Sequence, residues 1–221
     1  MVEPVGKYAK DPGTESFLAH LNRQLAPAND AEYRDVPELH PTLQIIGVPR
    51  SGTTLLGQLV ASHLDVGYID HLVAAFWRAP LYGIRLSQML LGEARPNTYA
   101  SEYGRTEGIH EPHEFGYFWR DLLDHDELSE AEALTASPDW DRVRAVITNM
   151  CAEFDRPIVF KAFQLVWHME EFQAALPRTC FIWVRRDPLE TAMSILRLRE
   201  GFAGSRDIWV SMKPLAYEDL A

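Results

Sequence analysis

The sequence predicts an α/β fold with a mostly parallel central sheet and helices on both faces. Three observations point there. The stretch Leu43–Leu56 reads LQIIGVPRSGTTLL, an apolar β-branched run that breaks into a small-residue loop and resumes as an apolar helix. Two more apolar runs, 157–163 (PIVFKAF) and 179–185 (TCFIWVR), have strand length, and each precedes a helical pattern. Strands that alternate with helices need crossover connections, which make the sheet parallel and cover both faces.

The elements follow in order. Residues 1–13 read as loose, and 14–25 as a short amphipathic helix with Phe17, Leu18, Leu21 and Leu25 on one face. Residues 26–41, rich in Pro, Asp and Asn, read as an ordered loop or wrap. A strand over 43–48 leads into a helix over 53–63, and a short strand follows near 66–69. The pattern over 71–91 is helical with an interruption near Pro80. Residues 92–112 carry many Gly, Pro, Asn and Ser and form a long surface loop, which in a folded domain is functional or mobile. Helices are predicted over 113–126 and 139–154, the second started by Asp139. After the strand 157–163 comes a helix over 167–176 that stops before Pro177. The strand 179–185 hands over to a helix with Asp187 as N-cap, Pro188 in the first helical position and Glu190 closing an Asp-x-x-Glu box. Residues 1–41 therefore read as an N-terminal extension and wrap, and 42–221 as the α/β domain. The ending at YEDLA, soon after the irregular stretch 201–214, is abrupt and reads as a fragment or as a short version of a longer fold.

Bulk properties narrow the function. A chain of 221 residues with 47% hydrophobic and 24% charged residues is an ordinary globular domain. Its formal net charge of −11 excludes a general nucleic-acid footprint and disfavours binding to anionic lipid. An anionic ligand must therefore be held by local cations and backbone amides. Cys151 and Cys180 lack metal-ligand spacing and are expected to be buried thiols in a reducing, cytoplasmic setting. The N-terminus has no apolar signal core, and no run approaches the ~18 apolar residues that span a bilayer.

The loop after the first strand carries the chemistry. Its backbone N–H groups and those of the following helix converge on one anion. Gly47 to Gly52 fits the first six positions of G-x-x-x-x-G-K-[ST], but Thr53 holds the lysine's place and Arg50 sits inside the loop. Without that lysine, ATP chemistry is disfavoured. A guanidinium there suits the oxygens between a phosphate and the group it transfers. A turn without any ligand is the competing reading.

GVPRSGTTLL resembles the 5′-phosphosulfate loop of sulfotransferases that use 3′-phosphoadenosine 5′-phosphosulfate (PAPS). The stretch Arg186–Ser194, RDPLETAMS, is similar to a second element of that family, in which a strand-end arginine and a serine eight positions on hold the 3′-phosphate. The likeness runs from about Leu43 to Leu196 and is strongest at these two motifs, nearest to the PRSGTT-type bacterial and tyrosylprotein-sulfating branches. It implies a three-layer P-loop-like fold and metal-free sulfuryl transfer from PAPS to a hydroxyl or amine of a small-molecule, sugar or peptide acceptor. Arg50 would be the principal cation. Ser51, Gly52, Thr53 and Thr54 would line the 5′ end, and Arg186 with Ser194 the 3′-phosphate. Lys161, at the end of its strand, is a second cation or a lysine snorkelling out of the core. In the tyrosine-sulfating branch a glutamate follows the stretch that matches His63-Leu64-Asp65-Val66. Asp70 stands in its place, as general base or as a plain helix cap; His71, Glu111 and His113 are the other base candidates.

The segment His110–Glu114 lacks HExxH spacing and is not read as a metal site. Phe76, Trp77, Phe115, Tyr117, Phe118 and Trp119 form either an acceptor wall or, more simply, helix core. The competing functions are a P-loop kinase or nucleotide hydrolase and an inactive nucleotide-binding module.

Overall fold

The computed structural model describes residues 9–92, 98–125 and 129–217. Its helices are α1 (Pro12–Asp30), α2 (Thr53–His63), α3 (His71–Ala74), α4 (Pro80–Leu91), α5 (Gly116–Leu122), α6 (Glu130–Thr135), α7 (Trp140–Phe154), α8 (Met169–Ala175) and α9 (Pro188–Ala203). The strands β1 (Thr42–Ile46), β2 (Gly67–Tyr68), β3 (Ile158–Lys161) and β4 (Cys180–Trp183) form one parallel sheet in the order β2-β3-β1-β4. Central β1 sets Leu43 opposite Val159 and Cys180, and Ile45 opposite Lys161 and Ile182. This register brings the C-terminal ends of β1, β3 and β4 to one edge, where ligands of open α/β sheets collect.

Both faces of the sheet are covered. On one, α2 lays Leu56 and Val60 on Ile45 and Val159, with Val66 and Val184 beside them. On the other, α3, α4, α5, α7 and α8 bury the larger core around Ile158 and Phe160, with Trp119, Phe115 and Phe172 as its biggest side chains. Phe115, Phe118 and Trp119 are thus core, not an acceptor wall: each is at most 2% exposed.

Several elements differ from expectation for visible reasons. The N-terminal helix is longer, and its fully buried residues are Asn22 and Asn29, while Phe17 is 62% exposed. These amides dock where the chain breaks between α3 and α4. Asn22 donates to the Ala75 carbonyl (2.8 Å) and accepts from the Arg78 N–H (2.8 Å); Asn29 accepts from the Leu81 N–H (3.0 Å). Backbone groups at helix ends lack intrahelical partners, so two asparagines supply them. The predicted helix 113–126 starts late because Phe115 adopts a left-handed φ of 57°. The predicted 167–176 helix is present as α8, and a 3₁₀ turn that was not expected, Phe163–Trp167, precedes it. Helix α6 was not foreseen; Ser129 caps it through the Glu132 N–H (3.2 Å). Cys151 is buried, but Cys180 is exposed because β4 pairs only with β1 and lies at the edge of the sheet. The expected long loop is irregular over 98–115. Its stretch 93–97, residues 1–8 of the N-terminal stretch 1–13, position 126 of the predicted helix and the terminal 218–221 lie outside the described residues. No described helix is long and apolar enough to cross a membrane.

Candidate active site

The loop between β1 and α2 is shaped by close approach. A Cβ on Gly47 would lie 2.8 Å from both Ser51 Oγ and the Val184 carbonyl, and 3.1 Å from Thr53 Cγ2. The chain then reverses through left-handed residues at Arg50 (φ 69°) and Gly52 (φ 106°). Gly52 precedes α2 and offers no side-chain cap, so the first N–H groups of this 11-residue helix have no capping side chain. Space beside Gly52 is open, and Ser51 Oγ is buried with no hydrogen-bond partner. Uncapped amides, an orphaned hydroxyl and the positive end of a helix dipole fit the phosphosulfate end of PAPS.

Cations gather at this loop: Arg50 within it, Arg186 from the turn before α9 and Lys161 from the end of β3. Arg50 Nε donates to Ser194 Oγ of α9 (3.0 Å), and Arg186 Nη1 donates to the Arg50 carbonyl (3.2 Å). Arg186 also donates through Nε (3.1 Å) and Nη2 (2.9 Å) to Glu190 Oε2. The foreseen Asp-x-x-Glu box is therefore half formed: Asp187 accepts from the Glu190 N–H (2.9 Å), while the Glu190 side chain turns to Arg186. From the end of β3, Lys161 Nζ donates to Thr54 Oγ1 (2.6 Å) and forms an ion pair with Glu114. The structure thus brings Arg50, Ser51, Gly52, Thr53, Thr54, Lys161, Arg186 and Ser194 to one edge of the sheet.

Among the described residues, no hydrogen bond or ion pair joins Asp70 to them. It is the N-cap of α3: one carboxylate oxygen accepts from the Val73 N–H (2.7 Å) and the other from Ser87 Oγ–H. Burial pushes its pKa up, against the opposing hydrogen bonds from Ser87 and Val73. Glu111 is also enclosed, accepting from Gln58 Nε2 (2.9 Å) and the Thr98 N–H (2.8 Å). His71 and His113 meet edge to face at 4.9 Å between ring centroids. Thr106 gives its hydroxyl proton to the Pro112 carbonyl (2.8 Å), so the 3.0 Å contact with His71 requires a proton on His71 Nε2. His113 Nδ1 accepts from the Phe115 N–H (2.9 Å). His113 is exposed as a residue, yet desolvation by the protein around its ring pushes its pKa down to about 4. The same cause lowers His71.

Sequence reasoning missed Glu114 and the part played by the loop residues Tyr103, Gly104 and Thr106. Tyr103 places its ring 5.9 Å from the Arg50 guanidinium, and the Gly104 carbonyl accepts from Thr54 Oγ1 (3.5 Å). The available signal was the loop's length together with the acid-rich HEPHE segment, in which Glu111 and His113 drew the attention.

Comparison with known proteins identifies the family. The family model described as "Sulfotransferase family" matches residues 41–212. No curated protein sequence matches. Among solved structures, a crystal structure of sulfotransferase STF1 from Mycobacterium tuberculosis aligns at 16% identity with a TM-score of 0.46, over 84% of this chain and 56% of that one. The chain thus spans a little over half the length of that solved relative. With most of its length matched by the family model, the chain belongs to the sulfotransferase family.

Proposed function

We propose that this chain moves a sulfuryl group from PAPS to a hydroxyl or amine of a small-molecule, carbohydrate or peptide acceptor. One observation supports the reading above all. Arg50 ties the anion loop to the Arg186/Ser194 element by hydrogen bonds of 3.0 and 3.2 Å, so two motifs 136 positions apart flank one site. When bound, PAPS supplies an activated sulfuryl group on a phosphate leaving group. The α2 amides, Ser51 and the Thr53 and Thr54 hydroxyls hold the 5′ end, and Arg186 with Ser194 holds the 3′-phosphate. Arg50 and Lys161 neutralise charge on the oxygen that departs with the nucleotide. Two free cysteines, one exposed, support a reducing, cytoplasmic setting.

Thermal stability tests the reading. Adenosine 3′,5′-bisphosphate (PAP) at about a hundred times its Kd adds about 2.7 kcal/mol, or roughly 5–11 °C in Tm for a chain of this size. ATP with Mg²⁺ is expected to give less. Arg186→Ala should remove the preference for PAP over adenosine 5′-phosphate. A shift with ATP and Mg²⁺ alone refutes the reading in favour of a P-loop kinase or hydrolase.

A further inference from the structure

Transfer to a hydroxyl needs a group that takes the acceptor's proton, and the contacts around Lys161 single one out. We propose that Glu114 is that general base. The proposal rests on the PAPS reading and adds a residue to it.

Position comes first. Glu114 pairs with Lys161, whose ammonium also reaches Thr54 Oγ1 at the start of α2. All three polar atoms converge on the space above Gly104. A Cβ built there would lie 3.6 Å from Thr54 Oγ1, 3.8 Å from Lys161 Nζ and 3.9 Å from Glu114 Oε1. A carboxylate at the cation of the transfer end stands where an acceptor must approach.

Availability separates Glu114 from its rivals. Its side chain is 40% exposed, and its second oxygen has no hydrogen-bond partner among the described residues. Asp70 and Glu111, at 5% and 2% exposure, spend both oxygens on structural hydrogen bonds. His113 already uses its basic Nδ1 on the Phe115 N–H. His71 keeps a basic Nδ1, but its ring is held against Thr106 and His113, and among the described residues it makes no hydrogen bond to Lys161 or the anion loop.

The pairing with Lys161 also explains how the base is armed. Before donor binds, the ammonium neutralises the carboxylate. Once donor oxygens occupy Lys161, Glu114 is freed beside the transferring group. The acceptor oxygen then forms its bond to sulfur, and its proton passes to Glu114. The bond between sulfur and the 5′-phosphate oxygen breaks, and its electron pair leaves with PAP. No other reactant is required.

Glu114→Gln is the test, with two readouts. PAP binding, followed by thermal shift, should be as tight as in the wild type or several-fold tighter, because a competitor for Lys161 is gone. Transfer from sulfur-labelled PAPS should fall ~10²–10⁴-fold. It is read with whichever phenolic, sugar or peptide hydroxyl the wild type sulfates, hydrolysis by water included. Glu114→Asp should recover part of the rate, and Glu107→Gln, an exposed carboxylate of the same loop, should keep the wild-type rate. Transfer within a few-fold of wild type in Glu114→Gln overturns the assignment and leaves the PAPS reading intact. PAP affinity weakened tenfold or more also overturns it, since Glu114 would then be part of the donor site. A wild-type chain that PAP does not stabilise overturns the PAPS reading, and this proposal with it.

Discussion

Gly47→Ala should deform the anion loop without touching any charged group. The added methyl would sit 2.8 Å from the Val184 carbonyl and 2.8 Å from Ser51 Oγ. The serine hydroxyl can rotate away; the carbonyl cannot, because the Val184 N–H holds the Ile46 carbonyl at 2.9 Å and ties the two strand ends together. Relief must come from a shift of the loop or of the end of β4, and overpacking of this kind costs about 1–3 kcal/mol. For a domain of this size that lowers Tm by roughly 2–12 °C. The same shift displaces Ser51 and the α2 amides, and each 1.4 kcal/mol lost from anion binding weakens PAP about tenfold. Differential scanning fluorimetry with a PAP titration reads both quantities in one experiment. A variant with unchanged Tm and unchanged PAP affinity would refute the claim that close approach at Gly47 builds the cradle.

Three further outcomes follow from the geometry. Asp70 has a folded pKa above its unfolded value, so ionising it costs stability as pH rises through the folded value. Asp70→Asn should accordingly gain in Tm over wild type from acidic to neutral pH; parallel Tm–pH curves would exclude this. His125 and His168 are buried with their Nε2 atoms 3.1 Å apart, and burial lowers both pKa values. Their contribution is complete above the unfolded value of about 6.5 and is lost as pH falls below it, so His168→Gln should lose less Tm than wild type on acidification. Asn22→Ala should leave the Ala75 carbonyl and the Arg78 N–H without their partner, at about 1–3 kcal/mol for each group left dry, measured by urea denaturation.

The parts of the site that lie close in sequence were legible, and those that depend on the path of a loop were not. The stretch from Thr42 to His63 could be read because a β-branched run, a Gly-bounded turn and a helical apolar stripe are all local signals. Helix α9 was equally plain, since Asp187 and Pro188 mark its start by their own chemistry. Asp70 was harder. A carboxylate before a helix suits both a cap and a base, and only the Ser87 hydroxyl, 17 positions on, shows where its second oxygen is engaged. Glu114 was invisible as a partner of Lys161 because 47 residues separate them and nothing local brings them together. The first helix misled for a related reason: its apolar stripe suggested burial, while its docking is done by two amides whose partners lie beyond residue 74.

Arg50 holds a left-handed backbone that costs a non-glycine residue about 1–2 kcal/mol. Glycine at this position would relax the chain and raise the melting temperature, and it would delete the guanidinium that links the two motifs. Thermostability and turnover should therefore pull this single codon in opposite directions. A library screened for heat resistance alone would drift toward a sturdier, silent protein there, whereas one screened for sulfation would keep the strain.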